Sequence, residues 1–262
     1  MRSESGSANR IAGVVPAVVV DNNDPTGRYR VKVLFPQWLC AATSYTNNAD
    51  KEDFLSPWAR VTTFMGGPDR GAYFLPEVDD EVLVCFENGD IRFPYIVGSL
   101  WNGVDKPTQD NGGEGTNPFR SIRSRSGHTL TFMDSAEDTH EKILLQTSTE
   151  AGEMGEVDPA KRKGHFIVLD QSGEKIEIRD TTQKLSVTLD SSSGEITIET
   201  TGGNMKLLAS ETLSIECKKL EVKAETSVEM EAGTSMKQKA GSGIEVDGGP
   251  RIRQKASMIE LN

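Results

Sequence analysis

Hydrophobic and polar positions along this chain follow two different rhythms. Near the start, residues 11–20 form an almost unbroken apolar run, read as a first strand. Residues 21–27, rich in Asn, Asp and Pro, read as a turn. Residues 28–35 alternate polar and apolar side chains, the pattern of a half-buried second strand, which Pro36 ends. Residues 41–53 are polar and read as a surface loop. Residues 58–63, 81–86 and 94–100 predict three more strands, and residues 66–71 a glycine-rich loop. Between the last two strands stands Glu87-Asn88-Gly89-Asp90, and an Asn-Gly pair between apolar runs is a strong hairpin signal. Five or six short strands without helical periodicity predict a small barrel over residues 11–102, preceded by a flexible tail at 1–10.

Residues 103–163 read as a linker and a β-rich neck. The linker is rich in Gly, Asn and Pro up to about residue 118. A hairpin follows around Ser126-Gly127, then a strand at 143–147 and a charged insertion at 149–163. From Gly164 the rhythm changes. Apolar residues come in alternating pairs or triplets whose first members fall at 167, 176, 185, 196, 205, 213, 220, 228, 236, 244, 252 and 259. The steps are seven to eleven residues and settle near eight, with Gly, Ser, Thr, Asn, Lys and Glu between them. Residues 164–262 thus form a strand-and-turn repeat.

Each repeat offers only one to three inward apolar groups, and neither helix nor aromatic layer is available to cover them. A solitary repeat of this kind recovers little burial for the backbone entropy it loses, and its strand edges stay open. Several copies wound about one axis remove both difficulties. The expected axis positions are Ile176, Ile178, Leu185, Val187, Ile196, Ile198, Leu213, Ile215, Val228 and Ile244. A single-chain solenoid or a long meander would show the same period-two pattern.

Composition supports the division. Of the 16 aromatic residues, all but Phe166 lie at or before Phe132, and nine of the 11 prolines at or before Pro118. A narrow axis has no room for rings, and proline would remove ladder hydrogen bonds. The net charge of −11 argues against a nucleic-acid-binding surface. The three cysteines are widely spaced and odd in number, which fits a reducing compartment and gives no disulfide framework. The apolar run at 11–20 is too short to span a bilayer, and no signal-peptide cleavage site follows it.

Candidate chemistry is sparse. The three histidines, His128, His140 and His165, stand apart in the sequence, and no metal or other cofactor is expected. Asp79-Asp80-Glu81 and Asp134 with Glu137 and Asp138 lack the apolar pocket that separates catalytic pKa values, and solvated turns explain them. No nucleophile elbow, zinc-protease motif or phosphate loop is present, and no enzyme activity is expected. Cys217 shares the inward phase of Leu213 and Ile215 and reads as packing.

Several stretches resemble the central spikes of contractile injection machines: the VgrG spikes of type VI secretion, the spikes of contractile phage tails and those of extracellular injection particles. They are Gly27-Arg28-Tyr29-Arg30-Val31-Lys32-Val33, Trp58-Ala59-Arg60-Val61, and Gly71-Ala72-Tyr73-Phe74-Leu75-Pro76 running on to Glu81-Val82. They continue with Asn88-Gly89-Asp90, Arg92-Phe93-Pro94-Tyr95-Ile96-Val97-Gly98 and Ser126-Gly127-His128-Thr129-Leu130. The resemblance implies an all-β chain, an oligonucleotide/oligosaccharide-binding (OB) type barrel followed by a triple-stranded β-helix needle, as a homotrimer.

It further implies a puncturing device made in the bacterial cytoplasm, assembled with baseplate and tube proteins, and expelled on contraction. The target membrane would be met only transiently. The family's large N-terminal hub domain has no counterpart in residues 1–10, so a separate hub protein at the barrel end, or a shortened chain, is expected. Neither an inserted lysozyme-like domain nor a C-terminal effector is expected. A conical PAAR-type tip protein is expected on the last strand, Ile259, Glu260, Leu261 and Asn262. The rival reading is a trimeric adhesin or glycan-binding fibre whose barrel stacks sugars on Trp38, Tyr45 or Trp101.

Overall fold

The computed structural model describes residues 10–38, 54–107, 115–134, 141–147, 164–182 and 184–259. Most of the expected N-terminal tail, the loop at 41–53, the charged insertion, Cys40, Tyr45, Glu137, Asp138, His140 and Glu260 to Asn262 lie outside the described residues. The chain forms two compact units, one up to Met205 and one from Lys206.

The first unit begins with strands β1 (Val14–Asp21), β2 (Arg30–Leu34) and β3 (Ala59–Val61). A two-residue hairpin, β4 (Gly66–Gly67) and β5 (Arg70–Gly71), precedes β6 (Glu81–Phe86) and β7 (Pro94–Ser99). Five of these close a barrel in the order β1-β2-β3-β7-β6. The β3–β7 contact is parallel and the others antiparallel. Alternation explains the closure. Ala17, Val19, Val31, Val33, Ala59, Val82, Val84, Phe86 and Ile96 point inward and are buried together with Phe35. The neighbouring positions of each strand face outward.

Two turns hold the barrel's connections. Asp24 gathers the β1–β2 turn: its carboxylate accepts from the Thr26 and Arg28 N–H groups and takes both Nε and Nη2 of Arg30, at 2.7 and 2.8 Å. The Arg30 guanidinium, and then the turn N–H groups, hold this carboxyl well below the usual carboxylate range. After β6, Asn88 and Gly89 take φ of 50° and 77°, the left-handed pair that an Asn-Gly turn supplies.

A second sheet follows in the same unit. Strands β8 (Phe119–Arg123), β9 (Thr129–Met133), β10 (Lys142–Gln146), β11 (Phe166–Asp170), β12 (Lys175–Arg179), β13 (Leu185–Asp190) and β14 (Glu195–Thr200) pair in sequence as one antiparallel meander. The division expected between neck and needle at 163/164 falls inside this sheet. The expectation that the repeat pairs between chains is corrected for residues 166–200, which pair within the chain.

The reason is turn chemistry. Asp170, Asp180 and Asp190 end successive strands, and each accepts hydrogen bonds from N–H groups of the turn that follows. Glu174 and Gly194 supply positive φ at two of these reversals. Hydrogen bonds from Thr182, then Leu185, pull the Asp180 carboxyl down to about 2. Those from Ser192 and Ser193, and then Lys175, hold Asp190 well below its ordinary value.

The second unit lacks these devices until near its end, where Asp247 accepts the Gly249 N–H and Gly249 takes a φ of 59°. No described residue between Gly194 and Gly249 has a positive φ. The chain runs extended, with bends at Ser210, Lys218, Thr226, Thr234, Ser242 and Pro250, each eight residues after the last. Arg251 N–H to the Gly248 carbonyl is the only backbone–backbone hydrogen bond among the described residues of this unit. A bend without a reversal cannot bring consecutive segments side by side.

Truncating Ile96 to Ala in the barrel core should cost about 2–5 kcal/mol, read from urea unfolding of the barrel. Acid should also destabilise the first unit. Carboxyls depressed in the folded state stabilise it above the unfolded carboxylate pKa of about 4 and lose that contribution as pH falls. The melting temperature should therefore drop below about pH 4. Asp190→Asn, which keeps an acceptor but no titrating charge, should flatten that drop. An unchanged slope in the variant would refute the assignment.

Candidate functional site

The register of the meander sorts its side chains into two unlike faces. On one face, Lys142, Asp170, Lys175 and Asp190 stand opposite one another in a row across β10 to β13. Lys142 Nζ lies 2.7 Å from Asp170 Oδ2, and Lys175 Nζ 3.4 Å from Asp190 Oδ2. Opposite charges directly across strands support the register.

The other face carries two apolar rows across β9 to β14. One row runs Phe132, Ile143, Leu169, Ile176, Leu189, Ile196. A second runs Leu130, Leu145, Ile167, Ile178, Val187, Ile198. Leu185 continues the same side at the end of β13. Within one chain this face is open to solvent; Ile196 is 70% exposed and Ile198 57%. A shallow cavity of about 510 Å³ lies over its middle, walled by Leu145, Ile167, Ile178, Val187, Ile198 and Met205. Contiguous apolar surface of this extent marks an interaction surface.

All six expected axis residues between 176 and 198 thus share one face. Leu213, Ile215, Val228 and Ile244 lie in the second unit, each about 60% exposed. There the apolar pairs fall between the bends, as in Leu220 with Val222 and Val228 with Met230. Ile259 is exposed, and the remaining expected tip residues lie outside the described residues. Leu130, Ile143 and Leu145 belong to the apolar face although the repeat did not include them. Alternation was hidden in β10 because Leu144, between Ile143 and Leu145, is apolar too and faces the other way, buried with Phe166 and Val168.

The remaining candidates fall into structural surroundings. Asp80 accepts from the Glu77 N–H in the turn before β6, and Asp134 pairs with Arg120. His128 lies in the β8–β9 turn, where its N–H donates to Ser124 Oγ at 3.0 Å. His165 accepts the Thr181 N–H at Nδ1, 3.2 Å away. Cys217 is exposed. Among the described residues no three His, Cys, Asp or Glu side chains gather as a metal-holding cluster. Trp38 packs on Phe35 with ring centroids 4.0 Å apart and lies partly buried against the barrel core. Trp101 is exposed.

Residues 15–101 match the type VI secretion system/phage-baseplate injector OB domain. The closed five-stranded barrel occupies that stretch. The type VI secretion system spike protein VgrG5 of Pseudomonas aeruginosa is 32% identical over 107 residues, 35% of this chain and 13% of VgrG5. VgrG4b of the same organism, also a type VI secretion system spike protein, is 30% identical over 107 residues, with the same coverage. The actin cross-linking toxin VgrG1 of Vibrio cholerae is 28% identical over 123 residues, 42% of this chain and 10% of the toxin. The matched part is thus about an eighth or less of these relatives' length. Residues 15–101 thus resemble the injector OB domain, and over this stretch the chain is similar to VgrG-type spike proteins.

Proposed function

We propose that this chain is one third of a homotrimeric spike. The observation that carries the reading is the second unit. Residues 206–259 are extended, bend every eight residues, carry an exposed apolar stripe and leave their backbone groups almost wholly unpaired. Unpaired backbone is uncommon in folded proteins unless a partner supplies the bonds. Two further copies of the same segment supply strands of matching period and the apolar stripes that meet theirs. The apolar face of the meander meets its copies in the same way. The opposite face carries the Lys–Asp row beside Leu144, Phe166 and Val168, which are already buried within the chain.

A needle built so has every strand bonded laterally and no hinge, which suits it to carry thrust from a contracting sheath onto a small area of target envelope. The barrel end seats on a three-fold hub beneath the tube. The far end, at residues 259–262, receives a PAAR-type tip protein that continues its strands. The spike is made in the bacterial cytoplasm, built into a baseplate and expelled on firing. It performs no reaction of its own.

Light scattering after size exclusion should give three times the chain mass of 28.6 kDa. Val228→Asp with Ile244→Asp should dissociate the trimer, and Glu229→Gln, at the alternate position, should not. A monodisperse single chain in the parent would overturn the reading. Backbone amides of residues 206–259 should exchange slowly in the assembled protein. Exchange at unprotected rates would refute inter-chain pairing.

A further inference from the structure

A groove of about 730 Å³ lies on the outer side of the barrel where β2, β3 and β7 run together. The core needs nothing from this surface, since Val31, Ala59 and Ile96 of the same strands face inward. Yet four cations line it, Arg28, Arg30, Arg60 and Arg92. Arg30 and Arg60 are direct cross-strand partners, and Arg60 in turn stands opposite Tyr95. Like charges placed directly opposite destabilise a sheet. Asp24 offsets that cost at Arg30, while Arg60 has no carboxylate of its own among the described residues.

The groove's cations are already positioned. Asp24 holds Arg30, and Asp90 holds Arg92. Lys32 Nζ lies 5.1 Å and the Arg30 guanidinium 5.8 Å from the Trp58 ring centre, and Arg60 lies 5.6 Å from that of Tyr95. Arg28, Lys32 and Arg60 have no carboxylate partner among the described residues. A guanidinium stacked on a ring keeps its edge N–H groups free to donate in the plane, the geometry that matches a carboxylate.

We infer that this groove docks an acidic peptide segment of a partner protein, gripping its Asp or Glu side chains between Arg28, Lys32 and Arg60. Two observations select that ligand. Lys32 and Arg30 lie over the Trp58 ring and Arg60 over that of Tyr95, so a ligand entering the groove meets cations at these rings. The charge of −11 makes the rest of the chain repel a long polyanion, whereas a short acidic segment meets only the local patch. The inference does not depend on trimerisation, because one chain supplies every groove residue.

The test is fluorescence anisotropy of a fluorescein-labelled octaglutamate peptide titrated with the full chain in about 50 mM salt. Saturable binding is expected, weakened at least about tenfold by Arg28→Gln with Arg60→Gln, since each removes a charge-assisted contact. Arg253→Gln, an exposed site in the second unit, should leave it unchanged. Melting of the double variant should match or exceed the parent, because an opposed like-charge pair is removed. Lys32→Gln alone should weaken binding by a smaller factor. Absence of saturable binding, or equal binding by the double variant, overturns the inference. So does displacement of the peptide by octathymidylate at lower concentration than by unlabelled peptide, which would assign the groove to nucleic acid.

Discussion

An extended strand cannot satisfy its own backbone; every N–H and C=O must find a partner on another strand. The described parts of this chain meet that demand in three ways. The barrel closes on itself, so no edge remains. The meander pairs each strand with the next and is left with two edges, β8 and β14, and one uncovered face. The second unit finds no partners within the chain. Dependence on other copies therefore rises along the sequence, from a self-sufficient core to a segment whose order must come from outside.

Period two decides what each strand offers on its two sides. In the barrel it separates Val31 and Val33 from Arg30 and Lys32. In the meander it separates the Lys142–Asp170–Lys175–Asp190 row from the Ile143–Leu169–Ile176–Leu189 row. A slip of one residue would place charges on the apolar side of every strand. The aspartates at 170, 180 and 190 guard against this, since each fixes the turn that sets the next strand's register. Asp170 and Asp190 serve twice, as turn acceptors and as rungs of the charge row.

Much of the barrel was legible in the sequence. The strand expected at 81–86 is β6 as observed, and the other four lie within their expected spans or run one residue past them. Turn-forming residues lie between them, and β2 alternates cleanly. The eight-residue repeat was legible too, but not where it stops folding back on itself. That depends on whether the intervening residues reverse the chain, and Ser-Gly-Glu after Asp170 differs from Gly-Ser-Gly at 241–243 only in geometry and acceptor placement. Ile143 and Leu145 escaped notice because apolar residues on both faces of β10 erase the alternation. The basic groove was invisible for another reason. Arg28, Arg60 and Arg92 are some thirty residues apart, and only the β2–β3–β7 junction brings them together.

This gradient of self-sufficiency bears on how such a spike is assembled. The barrel core is complete in one chain and can fold by a unimolecular step. In the proposed trimer the second unit orders only when three copies meet, and its stability is then tied to protomer concentration. At low concentration three such segments would rarely meet, and their exposed stripes would be open to wrong partners. A partner that gathers three barrels raises the local concentration of the segments attached to them, as any tether does. The folded barrel is then the part that is recognised and held, and the needle follows from that gathering. On this argument the outward surface of the barrel, rather than the needle itself, is where assembly is controlled.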